Sequence, residues 1–345
     1  MSKWFDRYNR NKKTLSDGHL YRNQDEHDSC GVGFVASIDG KPRRKVVEGG
    51  IDALKAVWHR GAVDADGKTG DGCGLLTQIP EGFFDDEIAK TGHEKKDSKL
   101  GVGMIFLPRN DYAALEKCRT IIESELLDHG YYIYGWRQVP IDNSVIGEKA
   151  NLTRPEIEQV LFANNVDRPK DFDYSKQLYL VRRRIEKRIQ RQQISDFYIC
   201  SMSFDVIIYK GLFLAEELST FYPDLMNENF VSSYSIFHQR YSTNTFPSWG
   251  LAQPFRMLAH NGEINTISGN TNWMRNHQTR IAEEIFGDDS EQVKPIIEKN
   301  VSDSAALDAA FELYVRGGRS APLVKTLLIP EAWSKRSELL PIEHR

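Results

Sequence analysis

The sequence has few cysteines, and those it has are not paired. Cys30, Cys73, Cys118 and Cys200 are widely separated in a chain of 345 residues, and no CxxC motif occurs. This spacing argues against a zinc site, an iron–sulfur cluster held by this chain or a disulfide scaffold. It favours a reducing cytoplasm as the location and leaves single thiols for packing or for catalysis.

Long apolar runs, an excess of one charge and an export signal are also lacking. No unbroken apolar stretch approaches the roughly 18 residues that suggest a membrane span, and 49 acidic residues nearly balance 45 basic ones. The first 29 residues contain no apolar core of the kind that a secretory signal needs. These absences disfavour membrane and nucleic-acid partners and leave small molecules and proteins.

What is present is a mixture of strand and helix patterns. Alternating or short apolar runs predict strands at residues 31–38, 73–79, 102–108, 131–136, 197–203 and 205–211. Helical spacing of apolar residues predicts helices within 49–60, from Tyr112, near Gln177, within 270–287 and within 302–318. This mixture predicts one α/β unit with sheets and helices in packed layers.

Three segments carry more specific predictions. Thr153 and Glu156 have the spacing of a capping box, which predicts a helix that starts at Thr153. The short polar turn between residues 197–203 and 205–211 predicts an antiparallel hairpin. The stretch 60–74, rich in glycine and aspartate, predicts turns that either face a ligand or connect elements in solvent.

The predicted helix near Gln177 has six basic residues around its apolar positions Val181, Ile185 and Ile189. Because the rest of the chain is acidic on balance, a nucleic-acid site is disfavoured here. We interpret this basic face as one that is solvated or that touches another protein.

Cys30 stands where the polar N-terminal segment gives way to the first strand pattern. A thiolate is a strong nucleophile, but a thiol needs a base nearby to become one. If residues 1–29 were removed, Cys30 would carry a free α-amine, whose ordinary pKa of about 8 suits that task, and no catalytic histidine would be needed. The alternatives are a cysteine packed at a strand start and a disordered N-terminal tail.

Other residues would complete an acyl-transfer site. The side-chain amide of Asn261 and the backbone N–H of Gly262 could bind an oxyanion, Arg240 could bind a carboxylate, and Asp303 could bind an ammonium group. Each also has a simpler interpretation: Asn-Gly forms tight turns, a single arginine pairs with a surface carboxylate, and an aspartate caps a helix. Together with Cys30 they suit an α-amino acid that bears a side-chain amide.

Five segments stand in the order in which they occur in glutamate synthase large chains: "CGVGFVA", "HRGAVDADGKTGDGCG", "HQRYSTNTFPSW", "AHNGEINT" and "SDSA". Residues 30–335 resemble the N-terminal amidotransferase domain of that family, which belongs to the class II glutamine amidotransferases and the N-terminal nucleophile hydrolases. The resemblance implies a four-layer αββα sandwich, with two antiparallel sheets between helix layers. It also implies a propeptide of residues 1–29 before a domain of residues 30–345 that is incomplete at its C-terminal end.

The resemblance implies the roles suggested above for Cys30, Asn261, Gly262, Arg240 and Asp303. It adds Thr243 to the residues that hold the substrate carboxylate, and Arg60 and Gly61 to those that line the site. The implied reaction is hydrolysis of L-glutamine to glutamate and ammonia through a γ-glutamyl thioester on the cysteine. Ammonia would then pass to a synthase site that aminates 2-oxoglutarate.

In that family the synthase portion holds FMN and an iron–sulfur cluster, and a small NADPH-oxidising subunit is a further partner. The flavin-binding barrel and the cluster cysteines are absent here, so we assign no cofactor to this chain, which would be a fragment or a separate glutaminase subunit. Two alternatives stay open. One is an N-terminal nucleophile hydrolase of another amide, which Arg240 with Asp303 disfavours; the other is a truncated or non-catalytic subunit that binds a synthase partner.

Overall fold

The computed structural model describes residues 31–164, 169, 172–240, 247–262, 264, 266–299 and 301–329, together with positions 6, 9, 10, 12–14, 16 and 17. The chain divides into two compact units, Met1–Cys30 and Gly31–Arg345. In the first unit the described positions are helical, and the Thr14 hydroxyl donates to the Arg10 carbonyl oxygen at 3.0 Å. The elements named below all belong to the second unit.

The described strands form two antiparallel sheets of four strands each. In chain order they are β1 (Val32–Ala36), β2 (Thr69–Gln78), β3 (Leu100–Leu107), β4 (Tyr132–Gln138), β5 (Glu156–Ala163), β6 (Tyr198–Ser203), β7 (Val206–Phe213) and β8 (Tyr234–Gln239). The strand orders are β1-β8-β2-β7 in the first sheet and β4-β5-β3-β6 in the second. Every recorded pair is antiparallel.

The described helices lie around these sheets. They are α1 (Arg44–Ala56), α2 (Glu81–Lys90), α3 (Tyr112–Asp128), α4 (Glu148–Leu152), α5 (Tyr174–Arg191), α6 (Leu218–Phe221), α7 (Ile267–Phe286), α8 (Ser290–Val293), α9 (Asp303–Arg316) and α10 (Ala321–Leu328). Short 3₁₀ turns occur as well, among them Trp58–Arg60 after α1. Within the described part of the chain, no helix combines the length and the apolar character needed to cross a membrane.

Strand β3 illustrates why the chain folds in layers. Val102, Met104 and Phe106 belong to the core that contains residues of both sheets, whereas Ile105 and Leu107 pack with residues of α3 and α5. Successive side chains of a strand point to opposite faces, so a strand that is apolar throughout needs a packed layer on each side. Helix α1 packs against β1 and β8 of the first sheet. Helices therefore surround two antiparallel sheets, which confirms the predicted sandwich.

The predicted helix from Thr153 is wrong. Thr153 is the C-cap of the short helix α4, and the chain continues as strand β5 from Glu156. β5 pairs with β3 on one side and β4 on the other, and Val160 and Phe162 are fully buried. A capping box contributes only about 1 kcal/mol. Pairing on both edges and burial of both faces outweigh that local signal.

The predicted hairpin between residues 197–203 and 205–211 is also wrong. Both segments are strands, but β6 pairs with β3 in the second sheet and β7 pairs with β2 in the first. The chain crosses from one sheet to the other at Phe204 and Asp205. A short turn therefore joins two packed layers here instead of two hydrogen-bonded neighbours.

The glycine-rich stretch 60–74 forms turns only in its first part. Strand β2 begins at Thr69, and Asp66 accepts the Thr69 N–H at 2.7 Å to close the turn before it. A Cβ at Gly70 would collide with the carbonyl oxygen of Phe213 on β7. Glycine is needed there because the neighbouring strand backbone approaches closely.

The basic face of α5 is largely engaged within the chain. Arg182 and Arg183 are 3% and 8% exposed. Arg182 donates to Glu312 of α9 at 2.6 Å, and Arg183 donates to Glu298 at 3.0 Å. The interpretation of this face as solvated or touching another protein is therefore wrong for these two arginines. Both arginines also pair with the nearby Glu186, but Glu312 and Glu298 lie more than a hundred residues away in sequence, so the local charge pattern could not reveal these two partners.

Candidate active site

Gly31 lies at the meeting point of the segments that carry the predicted site residues. Its carbonyl oxygen accepts the N–H of Gln239, the last residue of β8, at 2.5 Å. A Cβ at Gly31 would collide with the Gln239 carbonyl oxygen and lie 3.2 Å from Nδ2 of Asn261. The residue that follows Cys30 in the sequence is therefore held between β8 and the Asn261 side chain. Cys30 itself lies outside the described residues.

Arg240 directly follows β8 and has an unusual backbone conformation. Its φ is 96°, in the region that favours glycine, and its N–H donates to the Gly72 carbonyl oxygen at 3.0 Å. Such conformations cost about 1 to 3 kcal/mol and cluster at functional sites. Arg240 is exposed, so its guanidinium can bind a ligand carboxylate. Thr243, predicted to assist it, lies outside the described residues.

Arg60 and Gly61 lie beside the same end of β8. Gly61 follows the 3₁₀ turn Trp58–Arg60, and its N–H donates to the Trp58 carbonyl oxygen at 3.0 Å. A Cβ at Gly61 would collide with the side-chain amide of Gln239. Arg60 and Gly61 therefore lie beside Gln239, the residue that precedes Arg240.

Asn261 and Gly262 are exposed at a turn whose preceding residue is well anchored. Gln253 accepts the N–H of His260 at 3.1 Å, and His238 on β8 contacts the His260 carbonyl oxygen through Nε2 at 3.0 Å. The Gly262 N–H donates to Nδ1 of the His260 ring at 3.1 Å. Both predicted oxyanion donors are therefore accessible, and the backbone N–H has a local acceptor.

Asp303 is 4% exposed and opens helix α9, whose N-cap is the preceding residue, Ser302. Ser302 accepts the Ala305 N–H at 3.1 Å, so Ser302 supplies the side-chain cap considered for Asp303. One carboxylate oxygen of Asp303 instead accepts the Ile264 N–H at 3.0 Å. Asp303 is thereby joined to the segment that contains Asn261 and Gly262.

Two histidines, His238 and His260, lie beside Asn261. Burial lowers the pKa of His238 to about 4, and hydrogen bonds to the His260 backbone and the Asn261 side chain only partly oppose it. Burial also lowers the pKa of His260, and the charge of Asp303 offsets only part of this effect. Both imidazoles are therefore neutral at pH 7.

Sequence reasoning missed His238, Gln239 and Gln253 as parts of the site. All three are at most 3% exposed. Two of them are consecutive polar residues at the end of strand β8, and that pair was the available signal. Buried polar groups require partners, so such a pair indicates a hydrogen-bonded site at the end of the strand.

The low pKa of His238 predicts a pH-dependent stability. Between pH 6.5 and pH 4 the unfolded chain binds a proton at this position and the native chain does not, so stability falls as the pH falls through this window. At pH 5 the loss is on the order of 2 kcal/mol. We expect urea unfolding to show that the change in stability from pH 7 to pH 5 is less favourable in the wild type than in His238→Gln by on the order of 2 kcal/mol, because the other groups that titrate in this range contribute to both proteins. Equal losses in both proteins would contradict the assignment.

The three cysteines among the described residues are packed in the core, as predicted. Cys73 on β2, Cys118 on α3 and Cys200 on β6 are fully buried. Burial raises the pKa of Cys118 and of Cys200 to about 12 and also raises that of Cys73. These thiols are unreactive at neutral pH. In the described ranges, no group of three His, Cys, Asp or Glu residues is arranged to hold a metal ion.

A cleft of about 730 Å³ lies beside α5 and α9. Arg182, Arg183 and Arg256 line it together with Glu186 and Glu312, and Glu186 accepts from Arg182 and Arg183 at 2.5 and 2.7 Å. The cleft contains none of the predicted site residues. Arg182 also pairs with Glu312, and Arg256 with Glu186, so these five side chains already pair with one another. The candidate site lies with the motif residues instead.

Comparison with known proteins identifies the family of this chain. A family described as class II glutamine amidotransferases matches residues 30–344. The glutamate synthase [NADPH] large chain of Azospirillum brasilense is 58% identical over 335 residues, which are 97% of this chain and 22% of that protein. The ferredoxin-dependent glutamate synthase of Pyropia yezoensis is 42% identical over 318 residues, which are 91% of this chain and 20% of that protein.

The glutamate synthase [NADPH] large chain of Bacillus subtilis (strain 168) is 39% identical over 320 residues, which are 93% of this chain and 21% of that protein. The chain thus spans about a fifth of the length of these curated relatives. Because the family match covers nearly all of the sequence from Cys30 onward, this chain belongs to the class II glutamine amidotransferases.

Proposed function

We propose that this chain is the glutaminase part of a glutamate synthase and hydrolyses L-glutamine to glutamate and ammonia. The observation that carries the proposal is the closeness of Gly31 to Asn261, whose Nδ2 would lie 3.2 Å from a Cβ at Gly31. It brings the residue that follows the proposed nucleophile to the side chain that would stabilise the developing oxyanion. Family membership supports the reaction type.

The proposed reaction begins at Cys30, after removal of residues 1–29 as a propeptide. The α-amine of Cys30 takes the thiol proton, and the thiolate attacks the side-chain carbonyl carbon of glutamine. Collapse of the tetrahedral intermediate breaks the C–N bond, and the amine returns the proton to the leaving nitrogen, which departs as ammonia. Water then hydrolyses the thioester by the same acid–base route and releases glutamate.

Asn261 and Gly262 stabilise the negative charge that forms on the carbonyl oxygen in both steps. Once both the side-chain amide and the backbone N–H point at the substrate oxygen, they need little further reorganisation as charge develops. The Gly262 N–H donates to the His260 ring in this structure. It must exchange that acceptor for the substrate oxygen when glutamine binds.

Arg240 and Asp303 hold the α-carboxylate and α-ammonium groups, with Thr243 assisting at the carboxylate and Arg60 and Gly61 lining the site. Two opposite charges favour a free amino acid, because an amide that lacks an α-carboxylate and an α-ammonium group could not form the two charge-assisted contacts with Arg240 and Asp303. This argument disfavours a general amide hydrolase.

Ammonia is then passed to a synthase portion that aminates 2-oxoglutarate and holds FMN and the iron–sulfur cluster, with a small NADPH-oxidising subunit as a further partner. The names of the relatives support this context, since two of them are NADPH-dependent and one is ferredoxin-dependent. The contribution of this chain is limited to releasing ammonia in a reducing cytoplasm.

Intact mass of the purified chain, before and after incubation with 6-diazo-5-oxo-L-norleucine, tests the proposal. This glutamine analogue alkylates nucleophilic thiols. We expect loss of residues 1–29 and a single adduct that peptide mapping assigns to Cys30. L-Glutamine should protect against labelling, and D-glutamine should not, because Arg240 and Asp303 hold the α-groups of one enantiomer.

The alternatives predict different masses. A folded chain that is uncut and unlabelled contradicts the glutaminase proposal and favours a non-catalytic subunit. Labelling at Cys73, Cys118 or Cys200 would contradict the assignment of the nucleophile. Labelling that L-glutamine does not slow would contradict a glutamine-shaped pocket.

A further inference from the structure

Asn261 and Gly262, the proposed oxyanion donors, are called the oxyanion turn below. The backbone of His260, the residue before them, is held by a buried side-chain amide. Oε1 of Gln253 accepts the His260 N–H at 3.1 Å, and Nε2 of Gln253 donates to the His260 carbonyl oxygen at 3.3 Å. Gln253 is 3% exposed. One side chain therefore satisfies both backbone polar groups of the residue that precedes Asn261.

A second buried side chain reaches the same carbonyl oxygen from the sheet. Nε2 of His238 lies 3.0 Å from it, and His238 is 2% exposed. A carbonyl oxygen only accepts hydrogen bonds, so the imidazole carries its proton on Nε2. His238 stands in register with Val32 on β1 and Gly74 on β2. The contact therefore ties the turn to the centre of the first sheet.

Helix α9 anchors the same segment at both ends. Asp308 accepts the N–H groups of Met257 and Leu258 at 2.8 and 3.0 Å, and Asp303 accepts that of Ile264 at 3.0 Å. These bonds fix where the segment enters and leaves the turn. Between these two anchors, Gln253 and His238 bind the His260 backbone, and His238 also reaches the Asn261 side chain.

We propose that His238 and Gln253 are positioning residues that hold the His260 backbone so that Asn261 and Gly262 stay aligned with the oxyanion of a bound substrate. Neither needs to contact glutamine. The inference rests on the proposed glutaminase function. Its physical basis is the sensitivity of oxyanion stabilisation to distance, since a displacement of about 1 Å can lower a rate by about 10²-fold.

The contacts made by His238 suggest a pair of variants. His238→Gln retains a donor at a similar distance from the backbone, whereas His238→Leu keeps the volume and removes the donor. We expect kcat to fall by about tenfold or more in His238→Leu, with KM for glutamine unchanged, and to recover largely in His238→Gln. Gln253→Leu should behave like His238→Leu.

Ser235→Ala is a matched control on the same strand. Ser235 is fully buried, and its hydroxyl donates to the Val46 carbonyl oxygen of α1 at 3.0 Å, away from the turn. The substitution removes one buried hydrogen bond without touching His260. We expect a lower Tm with unchanged kcat, which separates general destabilisation from positioning.

Two inhibitors give a readout that a merely structural role would not change. The γ-semialdehyde of L-glutamate forms a hemithioacetal with the cysteine thiolate and carries the oxyanion, whereas L-glutamate binds without one. We expect the inhibition constant of the aldehyde to rise by about the same factor as kcat falls in His238→Leu. The inhibition constant of L-glutamate should not change.

The outcomes separate this inference from the function on which it rests. Wild-type protein without turnover and without labelling at Cys30 overturns both. An active wild type whose His238→Leu and Gln253→Leu variants keep their kcat overturns this inference alone. Equal weakening of aldehyde and L-glutamate would also overturn it, because the two residues would then shape the whole pocket.

Discussion

Replacement of Cys30 by alanine is expected to abolish glutaminase activity. Under the proposed mechanism this residue supplies both the nucleophilic sulfur and the α-amine that accepts its proton, so no other group can take over attack on the amide. Loss of the nucleophile leaves only binding and the oxyanion donors, which accelerate attack by water far less. Glutamate release and adduct formation with 6-diazo-5-oxo-L-norleucine should both fall to the background rate.

Cys118→Ala is the matched control. Cys118 is a fully buried thiol on α3 that packs with residues of the second sheet, and its removal should lower stability slightly while leaving turnover intact. Retained turnover in Cys30→Ala would overturn the mechanism. Loss of turnover in both variants would point to a folding defect, which circular dichroism and a thermal melt would reveal.

Replacement of Asn261 by alanine is expected to lower kcat by roughly 10²-fold or more. The substitution removes the side-chain donor of the oxyanion hole and leaves the Gly262 N–H, which must first release the His260 ring. Asn261 is exposed at its turn, so truncation should cost little stability. KM for glutamine should change little, because the interaction strengthens only as negative charge develops.

Steady-state kinetics with Asn143→Ala as a control test this prediction. Asn143 is an exposed residue of a 3₁₀ turn, and its side chain has no proposed role. A change in Asn261→Ala that is confined to KM would place Asn261 in ground-state substrate binding instead of transition-state stabilisation. An unchanged kcat would remove it from the oxyanion hole.

Much of the candidate site could be read from the sequence because its chemistry is concentrated in short segments. Arg240, Asn261 and Gly262 were singled out by residue type, and the structure brings them to a common neighbourhood around Gly31 and Gln239. The buried side chains around them, His238 and Gln253, could not be identified from residue type. A buried histidine or glutamine looks like any polar core residue until its partner, here the His260 backbone, is known.

The fold was predicted least well where local and tertiary signals disagree. The capping-box pattern at Thr153 predicted a helix, but residues from Glu156 onward form strand β5, which pairs with a strand on each edge. A short turn after Ser203 connected two sheets instead of two paired strands. On α5, Arg182 donates to Glu312 of α9, and Arg183 donates to Glu298, which precedes α9. Local charge patterning cannot predict these two long-range pairs.

By itself, the sequence predicted a mixture of strands and helices in packed layers, because periodicity and residue type are local properties. Its motifs implied, by resemblance to a family, the sandwich class and the candidate residues for amide hydrolysis. Only the tertiary structure decided which strands share a sheet, how closely Gly31 approaches Asn261 and which side chains bind the His260 backbone. These depend on contacts between residues far apart in the chain, where burial and hydrogen-bond partners are fixed only once the layers have packed.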